Sequence, residues 1–196
     1  MFSAPDGGAP MAHMWEPGPL RRLVRAYLLE RTLWRLPRDG SVLDLCCGYG
    51  FYFTINPRAV GIDADPRAVA QLSKRGHDVR LGNVLDGLPY QDARFSWVVA
   101  HDVLEHFSFP ELERLVPEVH RVLEPSGRFL VLVPNRKGFE YGVRKNVGHR
   151  LFVTESEVRE LARGRFEFEA SYPEPLPRWL GRFFTHNKEV FRLRKI

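Results

Sequence analysis

From Ser41 onward, short apolar runs alternate with stretches of helical spacing. The runs are Ser41 to Cys46 (SVLDLC), Ala59 to Asp63 (AVGID), His77 to Gly82 (HDVRLG), Phe95 to Asp102 (FSWVVAHD) and Arg128 to Asn135 (RFLVLVPN). Each has the length of a strand. Strand then helix, repeated, predicts parallel strands joined by crossover helices, hence a doubly wound α/β sheet. Local signals mark the helices. Asp65 stands as N-cap before Pro66 at the first helical position, and Gly76 follows Lys74 and Arg75 at the other end. Thr154 with Glu157 makes a capping box before a helix running from Glu155 to about Arg163. A helix from about Pro110 to Leu123 contains Pro117, which predicts a kink or a break in two.

The ends of the chain read differently. Arg165 to Ser171 (RFEFEAS) and Lys188 to Arg194 (KEVFRLR) alternate apolar and polar residues, as strands with one exposed face do. The Pro-rich crossing between them has no long helical pattern, so the last strand is expected to enter antiparallel, making seven strands in a Rossmann-like sheet. Upstream, Leu20, Leu23, Val24, Tyr27, Leu28 and Trp34 recur at helical spacing with arginines between them, predicting an amphipathic helix. Residues 1–17, rich in Gly and Pro, read as a flexible leader, leaving 18–196 as a single domain.

Composition narrows the picture. Lys and Arg total 29 against 24 Asp and Glu, a net charge of +5, but the positives are dispersed rather than gathered in a tail. A nucleic-acid partner is thus permitted without being implied. The most basic stretch, Arg178 to Lys195, interleaves Trp179, Phe183, Phe184 and Phe191, and reads either as a binding face or as a last core element with solvated charges. The adjacent Cys46 and Cys47 are the only cysteines, too few for a disulfide framework or a four-ligand zinc site, which suggests a reducing, cytoplasmic setting. No apolar run has membrane-spanning length.

In an open parallel sheet, ligands bind beyond the carboxyl ends of the strands. There the first strand runs into CCGYG, where Gly48 and Gly50 would let the backbone turn tightly and approach an anionic group. The same residues also serve as a plain strand-to-helix turn. Asp63 ends the second strand, where a carboxylate can accept from both hydroxyls of a ribose; Asn83 ends the third; His101 and Asp102 end the fourth. A dinucleotide fingerprint would require glycine at the position of Phe53, and no nucleoside-triphosphate loop occurs.

The ordered segments VLDLCCGYG, VGIDADP, GNVLDGLPY, FSWVVAHDVLEHF and VHRVLEPSGRFLVLVPN, from Ser41 to Asn135, resemble the class I S-adenosylmethionine-dependent methyltransferases, specifically the type 11 group that includes quinone-biosynthesis enzymes. The resemblance implies S-adenosyl-L-methionine as cofactor. It places Asp44 by the methionine amino group, and the loop Cys46, Gly48, Tyr49 and Gly50 along the methionine part. It sets Asp63 on the ribose, Ala64 against the adenine, Asn83 with the Val84 amide at the adenine amino group, and His101 at the methionine end. Two departures stand out: Cys46 occupies the position of the first loop glycine, and the segment Phe51 to Val60, with Pro57, leaves about two turns for the first crossover helix. Phe51 and Tyr52 are then expected to close that wall of the pocket.

Methyl transfer from a sulfonium is an in-line displacement, so the protein supplies mainly alignment and exclusion of water. The candidates for further chemistry are Asp102, Glu105 and His106, which fall on one face if a helix starts at Asp102. Their spacing resembles the motif of ubiquinone-pathway O-methyltransferases, where it serves divalent-metal binding and deprotonation. Capping by Asp102 with local packing of Glu105 and His106 is the alternative, and a metal is not favoured. His149, on a long loop from Arg136 to Arg150 expected to roof the acceptor pocket, is the remaining candidate. The acceptor is expected to be a small or medium metabolite; RNA, or a noncatalytic role in binding the cofactor, are the alternatives.

Overall fold

The computed structural model describes residues 36–174, 176–177, 179, 182 and 187–196. The leader at 1–17, the amphipathic helix expected between Leu20 and Trp34, and Phe183 and Phe184 of the basic segment lie outside the described residues.

The strands are β1 (Val42–Leu45), β2 (Val60–Asp63), β3 (Asp78–Leu81), β4 (Phe95–His101), β5 (Leu123–Pro134), β6 (Phe166–Glu174) and β7 (Lys188–Lys195). The helices are α1 (Pro66–Lys74), α2 (Phe109–Val122), α3 (Arg136–Arg144) and α4 (Glu155–Ala162). All seven strands form one sheet in the order β3-β2-β1-β4-β5-β7-β6. β1 pairs in parallel with β2 and β4, through Leu43↔Val60 and Leu43↔Val98, and β5 joins β4 in parallel through Val99↔Leu130. β7 enters antiparallel between β5 and β6, with Val131↔Phe191 and Ser171↔Phe191.

The strands bury both faces, so alternate residues enter different cores. Leu43, Val98, Val131 and Val133 pack with Leu112, Leu115 and Val119 of α2 and Val158 and Leu161 of α4. Val42, Val99, Leu130 and Leu132 face the other way, with Leu72 of α1, Tyr52 and Phe53. Helix ends follow the chemistry of their caps. Asp65 accepts from the Arg67 amide at α1, and the Thr154–Glu157 box opens α4. A second box, Ser108 with Glu111, opens α2.

Four expectations are corrected. The first crossover contains a single 3-10 turn, Tyr52–Thr54, instead of two helical turns. Pro57 carries no amide and disfavours the helical conformation in the residue before it. Tyr52 is 1% exposed and belongs to the core, with its hydroxyl donating to the Pro37 carbonyl, so only Phe51 remains as a pocket wall. α2 is not broken at Pro117. Glu113, whose carbonyl loses its amide there, lies on the exposed side, while buried Leu112, Leu115, Val116, Val119 and Val122 anchor both halves. The span Arg136 to Arg150 is not wholly loop, because Asn135 accepts from the Gly138 amide and starts α3.

Candidate active site

β1 delivers the chain to the carboxyl edge and reverses it at once. Cys46, Gly48 and Gly50 all have positive φ, at 51°, 51° and 88°. A Cβ on Gly50 would come within 2.4 Å of Leu72, so glycine is required there on two counts. A Cβ on Gly48 would meet nothing within 4 Å, so open space lies before that residue. Cys46 adopts the same left-handed conformation without glycine's freedom. Burial, and the nearby Asp63 and Asp44, push its thiol up, and Cys47 is pushed up to about 12 by the same causes. Both therefore remain thiols.

Asp63 closes the loop onto β2. Its carboxylate accepts from the Gly48 amide at 2.7 Å and the Asp65 amide at 2.8 Å. A carboxylate has lone pairs beyond these two. Asp44, 4% exposed, sits beside it, and burial followed by the charge of Asp63 raises its carboxyl well above the ordinary range. No cation among the described residues offsets that charge.

The third strand contributes less side chain than expected. The Asn83 carbonyl caps the 3-10 turn Val84–Asp86 by accepting from the Leu85 amide at 3.1 Å, and the Val84 side chain is in the core. Asn83 and Ala64 are exposed at this edge, and Tyr49 is 59% exposed beside them, its hydroxyl 3.5 Å from Asp65.

At the end of β4, His101 packs against Phe51 with ring centroids 5.0 Å apart. Burial first, and Lys188 after it, pull its pKa down to about 4 against the opposing pull of Asp102. No helix starts at Asp102, whose φ of 55° is incompatible with a helical start. Asp102 therefore caps nothing; its carboxylate is paired with Lys188 and lies 3.7 Å from His101 Nε2. Burial works to raise that carboxyl, yet Lys188 and His101 hold it below its ordinary value. Lys188 escaped the sequence reading, since alternation in β7 marks it only as an outward polar residue.

Behind Asp102 a 3-10 turn, Leu104–His106, carries Glu105 into the interior. Glu105 is 1% exposed, with neither carboxylate oxygen hydrogen-bonded among the described residues, and burial and then Asp102 push its pKa up to about 8. Its main-chain carbonyl accepts from the Arg150 and Leu151 amides at 2.7 and 3.1 Å, which pins the segment after α3 over the turn. His149 arrives with that segment, Nε2 at 4.0 Å from Glu105, so the structure unites Glu105, His106 and His149. Between α3 and β7 lies a cavity of about 410 Å³ lined by Asn135, Arg136, Lys137, Phe152, Arg182 and Glu189, among others.

The strand-end turns thus gather Asp44, Gly48, Asp63 and His101 at the carboxyl edge of a seven-stranded sheet. The family model for the methyltransferase domain matches residues 43–131. A Mycolicibacterium smegmatis protein described as a probable S-adenosylmethionine-dependent methyltransferase is 35% identical over 129 residues, covering 62% of this chain and 49% of its own length. A similar protein of Mycobacterium tuberculosis is 34% identical over 107 residues, 52% of this chain and 38% of its own length. The chain spans about half, or less, of the curated relatives it matches. Among solved structures, a Thermotoga maritima S-adenosylmethionine-dependent methyltransferase superposes with a TM-score of 0.69 at 22% identity, over 90% of this chain and 91% of that one. A methyltransferase solved in complex with the Haloferax volcanii activator Trm112 also gives 0.69, at 17% identity, over 86% of this chain and 89% of that one. Residues 43–131 match the methyltransferase-domain family, and the sheet has the fold of these solved methyltransferase structures. Among the described residues, no helix is long and apolar enough to cross a membrane.

The residues present fit the cofactor of that class. Open space before Gly48 adjoins the two-amide clasp on Asp63, and no cation among the described residues offsets buried Asp44, a place the methionine ammonium would fill.

Proposed function

We propose that the protein transfers a methyl group from S-adenosylmethionine to a small or medium metabolite. The observation that carries this reading is the convergence of Asp44, Gly48 and Asp63 at one strand edge, where Asp63 accepts from the Gly48 amide beside open space and buried Asp44 lies next to it. When bound, the cofactor supplies an electrophilic methyl on sulfur. Asp44 would hold the methionine ammonium and Asp63 the ribose hydroxyls, with the Cys46 to Gly50 backbone passing the methionine part. Ala64, Asn83 and the Val84 amide would border the adenine. His101, neutral above about pH 4, would flank the sulfonium without opposing its charge. Phe51 against His101 would exclude water on that side.

On the acceptor side, the cavity of about 410 Å³ supports a small or medium acceptor, since ligand pockets of this kind usually measure about 300–1,000 Å³. Its aromatic wall, Phe152, carries the Arg136 guanidinium 4.6 Å above the ring. Asp102, tied to Lys188, would position His101 rather than take a proton itself.

Calorimetric titration with S-adenosylmethionine tests the reading, with NAD as control. Saturable binding of S-adenosylmethionine alone is expected, weakened about tenfold to a hundredfold by Asp63→Ala, the value of hydrogen bonds to a charged group. Absence of binding by folded protein would overturn the proposal. A turnover screen with small acceptors and with tRNA then separates the acceptor classes, because steep loss of activity with salt marks the nucleic acid. Binding without turnover on any acceptor would leave a noncatalytic module.

A further inference from the structure

We infer that Glu105, His106 and His149 form a site for a divalent cation of zinc type, with two imidazoles and one carboxylate as ligands. The inference rests on the methyltransferase reading only for its place beside the acceptor side; the ligand geometry stands on its own.

One ligand atom from each of the three residues lies within 4.8 Å of the others. Each imidazole is held by its far nitrogen. His106 Nδ1 faces the Gly148 carbonyl at 3.2 Å, and His149 Nδ1 faces the Phe139 carbonyl at 3.1 Å. A carbonyl only accepts, so Nδ1 carries the hydrogen and the Nε2 lone pair is left for a ligand. Metal-binding histidines are oriented by partners of this kind. Glu105 is 1% exposed, with neither oxygen hydrogen-bonded by distance and angle among the described residues and with His149 Nε2 at 4.0 Å. A carboxyl so placed ionises only beside a cation, so a metal ion bound here would displace its proton.

α3 is shaped around His149. A Cβ on Gly142 would fall 2.1 Å from its Cε1, and the Phe139 ring stacks on it at 5.5 Å with planes 17° apart. The glycine therefore makes room for the ring and the phenylalanine fixes its plane.

The resemblance to the ubiquinone-pathway motif would make Asp102 a ligand. Here Lys188 takes that carboxylate, and a histidine from a distant segment joins Glu105 and His106 instead. The exchange changes the metal. Oxygen-rich sites suit magnesium and calcium, whereas two imidazoles with one carboxylate suit zinc, cobalt or nickel. Zinc bonds of about 2.0–2.1 Å place ligand atoms roughly 3.4 Å apart, so closure needs side-chain shifts of about an ångström. When bound, such an ion supplies Lewis acidity.

Cobalt(II) titration of the full chain, stripped of metal with chelator, tests this by visible absorption. The expected result is d–d bands saturating at a single equivalent and displaced by zinc but not by magnesium. His149→Ala and Glu105→Gln should each weaken cobalt binding by about tenfold or more, while Asp102→Asn does not weaken it. Glu105→Gln keeps the side-chain shape and replaces a mostly neutral buried acid by a neutral amide, so it retains the fold, and thermal unfolding verifies this; zinc should raise the Tm of the unmodified protein and leave that of the variant where it is. Absence of the bands, binding that survives loss of His149, or loss of binding on Asp102→Asn with magnesium preferred would overturn the inference. Calorimetry with S-adenosylmethionine on the same proteins distinguishes a failed metal site from a failed cofactor site, since either binding is read without the other.

Discussion

At His101 burial outweighs a neighbouring carboxylate, and the sign of the result reaches stability. The imidazole titrates at about 4 in the folded chain against an ordinary 6.5. Between those values the unfolded chain takes up a proton that the folded chain refuses, so stability falls as pH drops from about 6.5 to 4. The full shift would correspond to about 3 kcal/mol, reduced because the side chain keeps 18% of its exposure. Urea unfolding at neutral pH and near pH 5 should show the loss, and His101→Asn should flatten it; an equal loss in the variant would assign the effect to other groups. Cys46 shows another local balance. It holds a left-handed φ that glycine adopts without strain, in a site where its thiol stays protonated. Asp63, by contrast, organises the loop before any ligand arrives, because Gly48 and Asp65 already donate to it.

At the scale of elements, what was legible in the sequence was local. Asp65 before Pro66, and Thr154 three residues before Glu157, announce helix starts because cap and helix are chain neighbours. Strands β1, β2 and β4 were legible because apolar runs bounded by Gly or Asp leave little else. α3 was hidden, since Gly138 and Gly142 weaken its helical pattern; in the fold both are buried, and Gly142 lies under His149. The contact of Asp102 with Lys188, and of Glu105 with His149, had no signal at all, because each joins segments far apart in the chain. The condition of a helix starting at Asp102 is not met, and a backbone of positive φ leaves no mark in composition that would have excluded it. α3 also offers a test of its own. Asn135 caps it through the Gly138 amide at 2.8 Å, so Asn135→Ala should lower unfolding stability by about 1 kcal/mol. Denaturant titration checks it; no change would mean that tertiary packing alone holds the helix.

For the molecule as a whole, the sheet grades from a dry centre to a wet edge. Leu43, Val98, Val99 and Val131 in β1, β4 and β5 are fully shielded, whereas β3 ends the sheet with Leu81 58% exposed. Amide hydrogen exchange should accordingly be slowest in β1, β4 and β5 and faster in β3. Uniform protection across all four would contradict this gradient. The insertion of β7 between β5 and β6 has a consequence in time. Among the described strands, β6 pairs only with β7, a strand that follows it in the chain. As the polypeptide leaves the ribosome, β6 emerges before its pairing partner exists, and must wait unpaired until β7 arrives. The same arrival brings Lys188 to Asp102. Completion of the sheet and assembly of this corner of the pocket are therefore one late event, and a chain stalled before β7 would carry both an open strand edge and an unfinished site.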